Sequence, residues 1–183
     1  MIMRVLKATC VIAALAAGGV LLVLPGPLQA FEARTTAELL RLFLGYRAQG
    51  SPAGTPAVQF GPNSLSDAVR VSAECSSAPV LALLSISTAA LLAGRADQVD
   101  RLLLATVTAG GFFFVVNLVR LVGVCWALAR FGDQGFRVAH VYLGSVVSLA
   151  GLVGAAAVYL ATAGMWSARL RGPGPQRASV PAR

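Results

Sequence analysis

Apolar runs long enough to cross a lipid bilayer constrain this chain more than any other feature. A spanning helix needs about 20 mostly apolar residues, and four runs approach that length, at about 8–28, 78–93, 102–128 and 140–166. Only 12% of the residues are charged, against about 25% in a soluble domain. The sequence therefore predicts an all-α integral membrane protein with four transmembrane helices.

The first run, within residues 1–30, has two interpretations. Basic residues precede it, and Pro25 and Pro27 mark its end, which fits a retained transmembrane helix or signal anchor. A cleaved signal peptide is the alternative, because Leu28-Gln29-Ala30 resembles a cleavage site after a basic and then apolar start. The apolar length favours the retained helix.

Residues 31–77 are predicted to lie on the extracytoplasmic side. Thr35 followed by Glu38 fits a capping box at a helix start. Apolar residues then recur at helical spacing to about residue 50, so we expect an amphipathic helix. It lies either in the membrane interface or within a small external domain. Two strand-like segments, 57–60 and 68–71, flank a turn at 61–63 and predict a β-hairpin after the loop 51–56.

The predicted catalytic core covers residues 78–166, with short polar loops at 94–101 and 130–137 and an interfacial end at Met165 and Trp166. The basic tail, 167–183, is predicted to be disordered. With four spans both termini share a side, and a modest excess of basic residues near them predicts that this side is the cytoplasm.

The net charge of +8 invites a nucleic-acid interpretation, but the basic residues flank apolar runs and form no stripe with interleaved aromatics. We therefore expect the basic residues to interact with the membrane and expect no nucleic-acid partner. The three cysteines, Cys10, Cys75 and Cys125, have no regular spacing, and His140 is the only histidine. The sequence predicts no disulfide framework, metal site or cofactor.

Three residues that can carry chemistry fall at one membrane face in this topology. Cys75 directly precedes the second span, and His140 opens the fourth. Arg120 lies about 27 Å along the third span from Leu102, at about 1.5 Å per residue, near the outer edge of a core roughly 30 Å thick. A thiol, a guanidinium and an imidazole are therefore predicted to meet on the outer side.

Each of these residues has a plausible catalytic role. The positive end of a helix dipole favours a thiolate at Cys75, provided that Glu74 turns away. The imidazole of His140 can move protons, and Arg120 can stabilise an oxyanion, with Asn117 one turn earlier to orient it. Simpler interpretations remain: a small residue at a helix start, an arginine that reaches the headgroups, and an interfacial histidine.

These residues carry a family resemblance. The segments Glu74-Cys75-Ser76-Ser77 and Asn117-Leu118-Val119-Arg120, followed by His140 with Gly144, resemble the motifs of the exosortase/archaeosortase family in order, spacing and membrane placement. The resemblance covers roughly residues 57–165. Two features depart from the pattern: Ser77 stands where the family usually has glycine, and the chain is short, as in a core-only member.

The resemblance implies a membrane-embedded cysteine protease or transpeptidase. Cys75 would be the nucleophile, Arg120 the stabiliser and His140 the acid/base. Substrates would be exported proteins with a C-terminal motif, transmembrane helix and basic cluster, cut at the outer face through a thioester and passed to a lipid acceptor. A non-catalytic scaffold in envelope assembly is the alternative. A transporter with Arg120 as an anion site is weaker, because no repeat or broken helix is evident.

Overall fold

The computed structural model describes residues 2–50, 56–62, 65–94 and 98–164. The predicted features at 51–55, 63–64, 95–97 and beyond 164, including the interfacial end and the basic tail, lie outside these residues. Within them the chain is mostly helical. The elements in order are α1 (Ile2–Val23), α2 (Gly26–Leu44), β1 (Arg47–Gly50), β2 (Ala57–Gly61), β3 (Asp67–Arg70), α3 (Ala78–Gly94), α4 (Val99–Arg137) and α5 (Gly144–Thr162).

The first helix ends earlier than its apolar run suggests. The chain bends by 73° between α1 and α2, at Pro25, which precedes the first turn of α2. The predicted capping box is wrong, because α2 has already run for two turns at Thr35. The Thr35 hydroxyl instead donates to the carbonyl of Phe31, one turn earlier. A proline supplies no backbone N–H, so the helix breaks there and restarts in a new direction.

Helix α2 buries a face made mostly of polar and small residues. Its buried residues recur at helical spacing: Gln29, Glu32, Ala33, Thr36, Ala37 and Leu40. By contrast, Leu42 is 75% and Phe43 73% exposed. Helices that pack in lipid bury small and polar residues and turn apolar ones outward. Leu42 and Phe43, two residues of the predicted amphipathic helix, therefore lie on its outer side.

The segment after α2 forms a three-stranded antiparallel sheet in the order β1-β2-β3. Strands β2 and β3 pair with Val58 opposite Val69, at the positions expected for the hairpin. The sequence did not predict β1, which pairs with β2 along its other edge. Alternate residues of the sheet, such as Val58 and Phe60, join a buried core with α2 and the later part of α4.

Helices α4 and α5 form an antiparallel hairpin. Gly151 lies against Phe113 and Val116, and Gly154 lies against Phe112, so the two helices run back along each other. The reversal is at Gly132, the one non-helical residue within α4, with φ 63° and ψ −155°. The predicted polar loop at 130–137 is therefore wrong: helix continues on both sides of a single glycine.

Within the described residues, one continuous stretch, Val99–Thr162, passes a length and hydropathy test for crossing a membrane. It contains the α4–α5 reversal. Ala8–Val23 and Gly26–Leu44 pass only as a bent pair, and Ala78–Gly94 is apolar but shorter. Four separate crossings remain a prediction.

Close packing and hydrogen bonds between hydroxyl groups hold α1, α3, α4 and α5 together. Gly18 of α1 lies against Ile86 and the carbonyl of Ala82 in α3. The Thr88 hydroxyl contacts both the Thr106 hydroxyl and the Tyr159 hydroxyl, which joins α3, α4 and α5. Interhelical hydrogen bonds of this kind hold helices together in lipid, where apolar burial alone does not.

We expect Gly132→Ala to destabilise the protein by about 1–3 kcal/mol, because its φ/ψ combination is accessible essentially to glycine alone. Gly111→Ala is the matched control, since a Cβ there has open space and α4 is regular at that point. Thermal unfolding in detergent measures both. Equal midpoints for the two variants would contradict the assignment of the reversal to Gly132.

Candidate active site

Cys75 ends a 3-10 turn, Ala73–Cys75, directly before α3. The Ser76 hydroxyl accepts the backbone N–H of Ala78 at 3.2 Å, which satisfies a free donor at the start of α3. Cys75 is only 7% exposed, whereas Glu74 is exposed. The thiol is thus turned into the protein, and the acidic side chain beside it is turned away.

His140 lies in a π-helical turn, Val138–Leu143, between the Gly132 reversal and α5. Such turns insert one extra residue per turn and occur often at functional sites. The Cys75 Sγ is 4.0 Å from Nδ1 and 3.9 Å from Nε2 of His140, so either nitrogen can serve the thiol. The ring of Phe136 stacks parallel to the imidazole at 5.2 Å and holds its plane.

Arg120 lies on the face of α4 that meets α5. A Cβ at Gly144 would be 2.9 Å from Arg120 Nε and 3.3 Å from Nη2, so the guanidinium crosses α5 over this glycine. Gly144 is one turn beyond His140. The Nε of Arg120 is buried, and it has no hydrogen-bond partner among the described residues. Burial of Nε favours a guanidinium that points into the protein over one that reaches the headgroups.

Asn117 does not orient Arg120 as the sequence suggested. Its Nδ2 donates at 3.0 Å to the Cys75 carbonyl and at 3.0 Å to Glu32 Oε1. Glu32 Oε1 also accepts the backbone N–H of Ser77 at 2.8 Å. The amide of Asn117 therefore binds the backbone of Cys75 and does not orient Arg120, one turn away.

The structure thus brings Cys75 and His140 into contact and sets Arg120 beside the glycine that follows the histidine. A thiol in contact with a base, with a guanidinium one turn along whose Nε has no partner among the described residues, suits nucleophilic attack on a carbonyl group. Sequence reasoning missed Glu32 and Phe136. Glu32 was detectable as the acidic residue that shares a helical face with Ala33 and other small residues, once α2 is allowed to begin before residue 31.

The family model described as Transmembrane exosortase (Exosortase_EpsH) matches residues 2–157. The chain therefore belongs to the transmembrane exosortase family, as its motifs indicated, and it is a membrane protein of this sortase-like transpeptidase family. Comparisons with curated proteins and with solved structures gave no match.

We expect Gly144→Ala to displace the Arg120 guanidinium, because the new Cβ would meet Nε at 2.9 Å and the Ala139 carbonyl at 3.1 Å. Catalytic turnover in membranes should fall by about 10²-fold, which is what a misplacement near 1 Å can cost. Gly123→Ala, one turn beyond Arg120 with open space around its Cβ, should leave turnover unchanged. Equal turnover in both variants would show that Gly144 does not set the guanidinium's place.

Proposed function

We propose that this protein is a membrane-embedded cysteine transpeptidase that cleaves the C-terminal sorting signals of exported proteins at the outer membrane face. The observation that carries the proposal is the Cys75–His140 contact, with Arg120 against Gly144, one turn after the histidine, and with no partner for its Nε among the described residues. Family membership supports the class of reaction. Cys75 is assigned as nucleophile, His140 as acid/base and Arg120 as oxyanion stabiliser, with Asn117 supporting the nucleophile's backbone.

The chemistry follows from these positions. His140 accepts the thiol proton as Cys75 Sγ attacks the scissile carbonyl carbon, and the carbonyl oxygen becomes an oxyanion beside Arg120. The C–N bond then breaks, the amine leaves with the proton from His140, and a thioester remains on Cys75. A nucleophile from the acceptor, proposed to be a lipid, attacks the thioester and restores the thiol.

The proposed topology has four crossings, with both termini in the cytoplasm. Helix α1 would cross outward, α3 would return, and the α4–α5 hairpin would cross twice, with Gly132 at its outer end. The sheet and α2 pack against the same end of α4 that carries Cys125 and Leu121. This arrangement puts the sheet, α2 and the site together at the outer boundary, where an exported substrate is accessible.

The proposed substrate has a short motif, a transmembrane helix and a basic cluster at its C-terminus. A spanning helix would hold its motif at the depth of the membrane boundary, which is the depth proposed for Cys75. Basic residues after that helix would stay in the cytoplasm and fix its orientation. The site therefore needs no deep groove to capture the substrate.

Separate alanine substitutions test the three assigned roles through processing of a cognate substrate in membranes. Cys75→Ala should abolish processing, because no other nucleophile replaces the thiol. Arg120→Ala should lower the rate by about 10²–10³-fold, as loss of an oxyanion donor does. His140→Ala should lower it by about 10²–10⁴-fold, the usual contribution of a general acid/base.

Two matched controls accompany these variants. Cys125→Ala changes another buried cysteine, and Arg101→Ala changes an exposed arginine at the start of α4; both should process normally. Normal processing by Cys75→Ala would overturn the mechanism. Full biological function of Cys75→Ser would favour the non-catalytic scaffold instead.

The proposed outer placement of Cys75 is tested with a small charged methanethiosulfonate that does not cross membranes. The chain used carries Cys10→Ala and Cys125→Ala, so that Cys75 is its one thiol. We expect labelling in intact cells to reach the extent seen after lysis, and prior treatment with a permeant thiol reagent to block it. Labelling only after lysis would put the site on the cytoplasmic side.

A further inference from the structure

Glu32 is a fully buried acidic residue that the reaction described above does not use. Its side chain is 0% exposed, on the inner face of α2. A buried carboxyl group destabilises a fold unless hydrogen bonds compensate for its lost hydration. What Glu32 contacts therefore indicates why it is placed there.

Both contacts of Glu32 lead to the segment that carries Cys75. Oε1 accepts the Ser77 backbone N–H at 2.8 Å. Ser77 is the first residue whose carbonyl accepts a bond of α3, from Leu81 N–H at 3.0 Å. The N–H of Ser77 thus lies at the positive end of α3, where a carboxyl group is favourable.

The second contact passes through Asn117. The same Oε1 accepts one Asn117 Nδ2 hydrogen at 3.0 Å, and Nδ2 donates the other to the Cys75 carbonyl at 3.0 Å. One carboxyl oxygen therefore ties the chain at Cys75 and again two residues later. These two hydrogen bonds fix the backbone around Cys75, and the backbone sets the direction in which the Cys75 side chain points toward His140.

We propose that Glu32 is a positioning residue that holds the Cys75 thiol against His140 through Asn117 and the Ser77 backbone. Its catalytic consequence rests on the proposed function. Both donors meet Oε1, and Oε2 has no hydrogen-bond partner among the described residues. A glutamine amide oxygen can accept the same two bonds, whereas alanine accepts neither, so Glu32→Gln should preserve what Glu32→Ala destroys.

Thiol reactivity tests positioning without a substrate. In the full-length chain with Cys10→Ala and Cys125→Ala, the alkylation rate of Cys75 by iodoacetamide is measured in detergent. We expect Glu32→Ala to slow alkylation at least fivefold, to the rate of His140→Ala, because the thiol loses its base. Glu32→Gln should stay within about twofold of the parent. Glu38→Ala, an exposed residue of the same helix that pairs with Arg41, should not differ from the parent.

A merely structural role predicts the opposite sign. Loosened packing would expose Cys75 and speed its alkylation, both in the parent and in the His140→Ala background. Positioning instead predicts that Glu32→Ala adds nothing to His140→Ala. With substrate, Glu32→Ala should lower kcat by about 10²-fold and leave KM within about threefold, since the thiol is misplaced and binding is not.

Faster or unchanged alkylation in Glu32→Ala, or a further slowing on top of His140→Ala, overturns the proposal. If Glu32→Ala does not accumulate as folded protein, Asn117→Ala is used in its place. This variant removes the hydrogen bond to the Cys75 carbonyl and should slow alkylation in the same way. An unchanged alkylation rate overturns the proposal. Failure of the proposed function looks different. Normal processing by Cys75→Ala would remove the transpeptidase mechanism and leave the alkylation results standing.

Discussion

The architecture of the site depends on one carboxyl oxygen. Oε1 of Glu32 joins α2 to the start of α3 through Ser77 and to α4 through Asn117. In a membrane protein water is scarce and each buried polar group must find its partner in the protein. One carboxyl oxygen that accepts two donors therefore satisfies groups at the start of α3 and on α4. The bend of 73° at Pro25 gives α2, which carries Glu32, a direction different from that of α1.

Glycines complete the site by letting elements approach. Gly144 lets the Arg120 guanidinium lie across α5, and Gly132 turns α5 back along α4. Together they bring His140, which follows the reversal by two turns, against Cys75, which lies just before α3. The π-helical turn around His140 supplies the remaining adjustment, since an extra residue in a turn rotates the side chains that follow it. Backbone geometry therefore places the imidazole as much as side-chain packing does.

The sequence predicted the membrane class, the family and the proximity of Cys75 and His140, because these follow from run lengths and from residue types at fixed positions. It could not predict the start of α2, since Pro25 signals a break without giving the new direction, and the apolar spacing left open whether this helix lies in the interface or within a small external domain. In the structure the polar side of α2 packs inward. Strand β1 was missed because four residues around Gln49 carry little periodicity. The partner of Asn117 was beyond sequence reasoning, because it comes from α2, 85 residues away.

Arg120 shows why the neutral Asn117 matters. An ion pair between the arginine and Glu32 would occupy the guanidinium that the proposed reaction needs for the oxyanion. Asn117, one turn from Arg120, takes up the Glu32 oxygen instead, and the guanidinium makes no ion pair within the described part of the chain. The buried Nε of this guanidinium has no hydrogen-bond partner among the described residues, and an unpartnered buried charge is destabilising. Its retention is understandable when a negative charge develops beside it during the reaction, because an electrostatic donor that is already in place needs no reorganisation at that moment.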